Sequence, residues 1–240
     1  MAHGRVRALL FDVFGTLVDW RTSIATQLEA FGRERGISCD WYAFVDAWRG
    51  EYVPSMEGVR RGVRPWANLD ALHGESFDRL AERFALPPLS AQDRRWAVRR
   101  WHALEPWPEV PAALEGLHER FVLATLSNGN VELLVDLARY GKLRFDTIFS
   151  AETFGHYKPD PETYLGAAAL LGCAPAEAML VAAHESDLRA AAGNGLRTAY
   201  VSRPHEYRPA ATDHPALPEG FDVAVRGLDA LAEGIEAAEL

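Results

Sequence analysis

The stretch of sequence that decides the fold is Ala8-Leu9-Leu10-Phe11-Asp12-Val13-Phe14-Gly15-Thr16. Its first four residues are continuously apolar with no helical period, which is typical of a strand buried on both faces of a parallel sheet. The apolar run ends at a carboxylate, Asp12. Ligands of open α/β sheets bind beyond the carboxyl ends of the strands, so Asp12 lies where chemistry is expected.

Similar apolar runs recur along the second half of the chain and alternate with helical patterns. The predicted strands are residues 121–126, 178–183, 198–201 and 221–225, and the predicted helices are residues 131–140, 160–171 and 187–192. Strands that alternate with helices indicate crossover units. We therefore predict an α/β fold, a doubly wound parallel sheet with helices on both faces.

Residues 20–103 have a different character from the rest of the chain. They carry long amphipathic stretches rich in arginine and tryptophan, without a comparable β-like run. We predict a helical domain inserted after the first strand, with residues 1–19 and 104–240 as the core and residues 20–103 as the insertion. Residues 204–218 contain several prolines and little periodicity, which predicts a surface loop.

Composition limits the classes of protein that this chain can represent. The 240 residues carry a net charge of −9, which disfavours nucleic acid and anionic membranes as partners. The apolar run before Asp12 is too short for a signal peptide or a membrane span. A cytoplasmic location is the expectation.

Polar side chains also follow the other predicted strands. Ser127 and Asn128 follow residues 121–126, His184 and Asp187 follow residues 178–183, and Lys158 precedes a predicted helix. Asp12 alone could simply cap nearby backbone. Together with a lysine and a second aspartate, it forms a set that can supply a nucleophile, a charge stabiliser and a water-activating group.

These residues resemble a known family. The segments Asp12-Val13-Phe14-Gly15-Thr16-Leu17-Val18-Asp19, Ser127-Asn128-Gly129 and Tyr157-Lys158-Pro159-Asp160, with Asp187, resemble the four ordered motifs of the haloacid dehalogenase superfamily. The inserted helical region is similar to that superfamily's cap domain, and the remainder to its Rossmann-like core. Two positions favour the L-2-haloacid dehalogenases within it. Phe14 stands where the phosphatases carry a general acid, and Ala183 where they carry a metal-ligating aspartate.

The resemblance implies hydrolysis of short 2-haloacids to 2-hydroxy acids through an ester on Asp12, with release of halide and without a metal or cofactor. Lys158 would keep Asp12 ionised, and Asp187 would orient or deprotonate water. The further residues implied to act are Thr16 and Ser127, which position Asp12 and the substrate carboxylate with the backbone of Val13 and Phe14, and Asn128 and Arg49, which bind halide.

Three candidate site residues could instead have a purely structural role. Arg49 could be an arginine on a solvated helix face, and Tyr164, which matches an active-site tyrosine of the family, could belong to the core. His184 departs from the family, which usually has asparagine there. Its imidazole could serve as a hydrogen-bond partner or base, or be purely structural. A larger ring could also tighten the halide pocket and favour small halides, including the fluoride of fluoroacetate.

Other functions remain open from the sequence. Hydrolysis of a related small carboxylate, such as a strained cyclic imino acid opened by the same attack, is a variant of the leading function, and two functions differ from it in class. One is a magnesium-dependent small-molecule phosphatase of the same superfamily, and the other is a non-catalytic binding protein that retains the fold. The resemblance also implies a homodimer.

Overall fold

A six-stranded parallel sheet forms the centre of the computed structural model, which describes residues 5–207 and 216–240. The strands are β1 (Ala8–Phe11), β2 (Val18–Asp19), β3 (Glu105–Pro106), β4 (Val122–Ser127), β5 (Thr147–Ser150), β6 (Ala178–Ala182), β7 (Arg197–Val201) and β8 (Val223–Val225). The sheet order is β5-β4-β1-β6-β7-β8, and β2 pairs with β3 in a separate antiparallel ribbon.

The helices cover both faces of the sheet and form the inserted region. They are α1 (Trp20–Arg35), α2 (Trp41–Gly50), α3 (Tyr52–Arg60), α4 (Leu69–Arg83), α5 (Ala91–Val98), α6 (Val110–His118), α7 (Val131–Tyr140), α8 (Ala151–Phe154), α9 (Pro161–Leu170), α10 (Glu185–Gly193) and α11 (Leu231–Ala237). In the described part of the chain, no helix has the length and apolar character needed to cross a membrane.

Strand β1 lies inside the sheet and is completely buried, as the opening apolar run predicts. It pairs in parallel with β4 on one side and with β6 on the other. Leu9 and Phe11 pack into the larger hydrophobic core, and Leu10 packs into a second core on the opposite face of the sheet. Successive side chains of a strand point to opposite faces, so the continuous apolar run supplies both cores. The predicted α/β class is confirmed.

The inserted region consists of helices α1 to α5, and the chain enters and leaves it at one place. The antiparallel ribbon pairs Val18 with Pro106 and Asp19 with Glu105, which brings the two connections side by side. Asp19 then begins α1, because its side chain accepts a hydrogen bond from the Thr22 backbone at 3.0 Å. The helical cap on a Rossmann-like core is confirmed as a class, and its boundaries at residues 20 and 103 stay a prediction.

An aromatic cluster joins the cap to the core. Trp20, Trp48 and Trp101 are all fully buried, and the rings of Trp20 and Trp101 stack with centroids 6.3 Å apart. The core residue Phe14 meets Trp101 edge-on at 5.9 Å. Aromatic pairs of this kind favour defined ring geometry, so the cluster fixes how the cap sits over the start of the core.

The structure differs from the sequence prediction in several elements. Strand β5 was not predicted, because it is a short edge strand of four residues directly preceded by Asp146. Helix α10 begins at Glu185, two residues before the predicted start. The predicted surface loop at residues 204–218 is wrong at Glu206, which is only 4% exposed, and its residues 208–215 lie outside the described residues.

The buried position of Leu10 gives a stability prediction. We expect Leu10→Ala to lower the free energy of unfolding by about 2–5 kcal/mol, because the side chain is fully buried between two sheet neighbours and a helical layer. Urea denaturation followed by circular dichroism measures this change. The matched control is Leu170→Ala at a side chain that is 63% exposed, where a change within about 0.5 kcal/mol is expected. Equal losses in the two variants would contradict the assignment of Leu10 to the core.

Candidate active site

A cavity of about 510 Å³ lies between the cap and the carboxyl end of the sheet. Its core side includes Asp12, Asn128, Lys158, His184 and Asp187, which follow different strands or begin helices. The carboxyl ends of parallel strands meet at one edge of a sheet, so residues far apart in sequence converge there. The volume is in the range of small-molecule sites.

Asp12 follows β1 directly and is held by four hydrogen bonds. Its backbone N–H donates to the Val181 carbonyl at 3.0 Å, which continues the sheet pairing. Its Oδ1 accepts from Lys158 Nζ at 3.0 Å, and its Oδ2 accepts from Thr16 Oγ1 at 2.7 Å and faces His184 Nδ1 at 3.3 Å. Burial opposes ionisation, but the nearby cations and hydrogen bonds outweigh it and hold the pKa of the Asp12 carboxyl well below its usual range.

Lys158 lies between two carboxylates. Its side chain is almost fully buried, and Nζ donates to Asp187 Oδ2 at 2.5 Å as well as to Asp12. Burial would lower the pKa of the ammonium, but the charges of Asp12 and Asp187 raise it above its ordinary value. The Lys158 backbone N–H donates to Asn128 Oδ1 at 2.8 Å, which ties the lysine loop to the end of β4.

Asp187 stands in the first turn of α10 and has a second donor. The Tyr164 hydroxyl donates to Asp187 Oδ1 at 2.6 Å. Burial, followed by the charge of Asp187, raises the pKa of Tyr164, so its hydroxyl stays protonated and continues to donate. A carboxylate has about four lone-pair positions, so Asp187 can still accept a bond from a water molecule.

Of the other site residues predicted in the core, some contact the site directly and others only shape the chain around it. Thr16 is part of the site, since its hydroxyl donates to Asp12 and accepts from the Ala183 backbone at 2.9 Å. Ser127 is buried, and its hydroxyl accepts from the Gly129 backbone at 3.2 Å, which shapes the turn after β4. Val13 is a buried core residue and, among the described residues, it does not line the cavity, whereas Phe14 does.

The cap brings Arg49 over the cavity. Its guanidinium lies over the Tyr52 ring at 4.1 Å and the Trp20 ring at 5.5 Å, as measured to the ring centroids. Nη1 is buried and has no hydrogen-bond partner within the described part of the chain. Burial would lower the pKa of Arg49, but the charges around it raise it, so the group remains a cation. An anion entering the cavity would meet an available donor.

Glu206 is a site residue that the sequence analysis missed. It follows the carboxyl end of β7, and its two carboxylate oxygens lie 3.2 and 3.1 Å from His184 Nε2. The rule about strand ends could have indicated it, but four residues, including the proline at 204, separate it from the strand. Burial would lower the pKa of His184, whereas hydrogen bonds to Asp12 and Glu206 raise it to about 10.

The donor set does not fit a divalent metal ion. The Lys158 ammonium already pairs with the Asp12 and Asp187 carboxylates, and contacts with Asp12 and Glu206 raise the pKa of the His184 imidazole, which disfavours a cation beside it. Hard cations need free oxygen ligands, and Ala183 supplies no side-chain ligand. A separate exposed group, His156, Asp160 and Glu162, has ligand atoms within 4.8 Å of one another. Asp160 there is already paired with Arg60, so we assign no metal to it.

Comparison with known proteins defines the class to which this protein belongs. Residues 6–195 match the haloacid dehalogenase-like hydrolases, so the chain belongs to this family of hydrolases. It is similar to a crystal structure of an L-2-haloacid dehalogenase, at 44% identity and a TM-score of 0.91 over 97% of this chain and 99% of that one. It is also similar to a crystal structure of a defluorinating L-2-haloacid dehalogenase, at 39% identity and a TM-score of 0.92 over 96% and 95%.

The relatives of the chain include both haloacid dehalogenases and phosphatases. The chain is 28% identical to (S)-2-haloacid dehalogenase 1 from Pseudomonas sp. (strain CBS-3), over 87% of this chain and 91% of the relative. It is 30% identical to a phosphoglycolate phosphatase from Aquifex aeolicus (strain VF5), over 81% and 84%.

The contacts of His184 give a prediction about its charge. We expect the imidazole to stay protonated at about pH 8, because two carboxylates raise its pKa to about 10. Nitrogen NMR of histidine-labelled protein should show protons on both ring nitrogens there, with titration only at higher pH. The denatured chain, with a histidine pKa of about 6.5, is the reference. A His184 signal that titrates near 6.5 in the folded protein would contradict the assigned contacts.

Proposed function

We propose that this protein hydrolyses short 2-haloalkanoic acids to 2-hydroxyalkanoic acids through an ester on Asp12, without a metal. The observation that carries the proposal is that the buried, ionised Asp12 carboxylate shares its cavity with the apolar ring of Phe14, at the position where phosphatases of the family carry a general acid. A halide leaves as a stable anion and needs no proton from a general acid. Dehalogenase relatives and structural neighbours support the same reaction.

In the first step, Asp12 Oδ1 attacks the carbon that bears the halogen. Among the described residues, Oδ1 accepts a hydrogen bond from Lys158 only, whereas Oδ2 contacts both Thr16 and His184, so Oδ1 keeps the freer lone pair. A carbon–oxygen bond forms, the carbon–halogen electron pair leaves with the halide, and the configuration of the carbon inverts. Arg49 and Asn128 line the cavity and stabilise the departing halide.

In the second step, water attacks the Asp12 carboxyl carbon of the ester. Asp187 accepts a proton from that water and passes it to the departing 2-hydroxy acid oxygen. The bond between the carboxyl carbon and the original Oδ1 breaks, so the product carries Oδ1 and Asp12 gains the oxygen of water. Tyr164 and Lys158 hold Asp187 in place for this transfer.

Phosphate-ester hydrolysis is the main alternative, since a phosphoglycolate phosphatase is among the relatives. The site favours it less, because the apolar ring of Phe14 cannot protonate a leaving alkoxide and Ala183 supplies no side-chain ligand for magnesium. The homodimer and the cytoplasmic location that the family resemblance and the sequence suggested stay predictions.

A halide-release assay tests the proposal. We expect halide and 2-hydroxy acid from chloroacetate and from one enantiomer of 2-chloropropionate with a chelator present, because the mechanism uses no metal. Asp12→Ala should lower turnover at least about a thousand-fold, since it removes the nucleophile. Fluoroacetate is an added arm, prompted by the defluorinating neighbour.

The controls of this assay separate the alternatives. Phosphate release from phosphoglycolate that requires magnesium, with no halide from any haloacid, would replace the dehalogenase proposal by the phosphatase. No turnover of either substrate class would favour the non-catalytic alternative.

Single turnover in water enriched in the heavy oxygen isotope tests the ester. With enzyme in excess over chloroacetate, peptide mass spectrometry should find the heavy isotope in the peptide that contains Asp12. The 2-hydroxy acid formed in that turnover should be unlabelled. Heavy isotope only in the product would indicate direct attack by water and exclude the ester.

The proposed halide contact predicts the effect of changing Arg49. We expect Arg49→Lys to lower kcat/KM about 10- to 1000-fold, because an ammonium lacks the planar donors that stack on Tyr52 and face the cavity. Steady-state kinetics with chloroacetate measures the change. Arg94→Lys is the matched control, since Arg94 pairs with Asp78 on the cap surface. Similar kinetics in both variants would remove Arg49 from the mechanism.

A further inference from the structure

Glu206 is a buried carboxylate beside the site, and the proposed mechanism gives it no part. It is 4% exposed and accepts a hydrogen bond from Trp20 Nε1 at 2.9 Å. Gly15 makes room for it, since a Cβ at that position would lie 2.1 Å from Glu206 Oε1. Gly15 also has a φ of +83°, a conformation that side-chain-bearing residues rarely adopt. The backbone directly after the nucleophile is thus shaped around this carboxylate.

The Glu206 carboxylate faces one ring nitrogen of His184, and the other ring nitrogen faces the nucleophile. Nε2 lies 3.1 Å from Glu206 Oε2, and Nδ1 lies 3.3 Å from Asp12 Oδ2. A carboxylate only accepts hydrogen bonds, so an imidazole that contacts carboxylates through both nitrogens acts as a donor on both sides. His184 therefore presents an N–H to Asp12 Oδ2, next to the Thr16 hydroxyl.

We propose that Glu206 is a positioning residue that holds His184 as a hydrogen-bond donor to Asp12 Oδ2, where His184 and Thr16 stabilise the oxyanion formed during hydrolysis of the aspartyl ester. This inference rests on the proposed function, in which Oδ1 becomes the ester oxygen and Oδ2 the carbonyl oxygen. Donors placed where charge develops are among the largest contributions to catalysis.

The movement of electrons shows which of the two steps a hydrogen bond to Asp12 Oδ2 can accelerate. During attack on the haloacid, negative charge leaves the carboxylate and departs with the halide, so a donor at Oδ2 gives no advantage. During hydrolysis, a water oxygen bonds to the carboxyl carbon and the carbonyl electron pair moves onto Oδ2. One water proton goes through Asp187 to the leaving 2-hydroxy acid oxygen, and the other stays on the regenerated Asp12 carboxyl and dissociates.

The two steps can be measured separately in a Glu206→Gln variant. With chloroacetate, we expect ester formation within a few-fold of wild type and ester hydrolysis slowed about 100- to 1000-fold, the usual cost of losing one oxyanion donor. Intact-protein mass spectrometry after acid quenching should show the ester accumulating. In the steady state, kcat should fall while kcat/KM stays nearly constant, because kcat/KM reports the steps up to the irreversible loss of halide.

Two further variants test whether Glu206 acts through His184. His184→Gln should also accumulate ester, and it provides the test by itself if Glu206→Gln does not fold. The double variant should be no slower in ester hydrolysis than the slower single variant, because residues that act through one contact are not additive. Glu233→Gln, at an exposed position of α11, is the matched control and should behave as wild type.

Each remaining outcome overturns the inference. Ester that decays at the wild-type rate in Glu206→Gln, a parallel fall of kcat and kcat/KM, or additive losses in the double variant would each exclude the positioning role while leaving the dehalogenase activity in place. Absence of halide release from the wild type with every haloacid would instead overturn the proposed function, and this inference with it.

Discussion

The ion pair of Lys158 with Asp12 and Asp187 is the interaction on which the rest of the site depends. Two buried carboxylates so close together repel each other, and the Lys158 ammonium between them offsets that repulsion. The sheet supplies the geometry, since Asp12 ends β1 and Asp187 enters the helix after β6. Asn128 holds the lysine loop in place, because its side chain accepts a hydrogen bond from the Lys158 backbone. Replacing the lysine would remove the one cation that both carboxylates contact among the described residues.

The cap contributes a further cation and an apolar cover over the carboxylates. Arg49 lies over Tyr52 and Trp20, and Trp101 packs against Phe14 from the same side. Apolar rings around the cavity lower the local dielectric constant, which strengthens charge interactions beside them. The net charge of −9 therefore describes the whole chain and not the site, where cations converge on a small region.

Much of the fold and part of the site could be predicted from the sequence, for a physical reason. A strand buried on both faces must be apolar throughout, so β1 and β6 stand out, and the polar residues that end them must face the ligand crevice. Strand β5 could not be predicted in this way, because two of its four residues are only half-buried, so it lacks the continuous apolar run of β1 and β6. Glu206 was hidden for a similar reason, in a loop that composition alone classes as surface.

The sequence by itself determined the parallel sheet, the inserted helical cap and the candidate carboxylates and lysine, because local periodicity and strand ends encode them. Only the tertiary structure decided which groups touch. It placed Glu206 against His184 and His184 against Asp12, although Asp12 and Glu206 lie at opposite ends of the chain. Contacts between such distant residues follow from packing over the sheet edge, and no local pattern of residues carries that information.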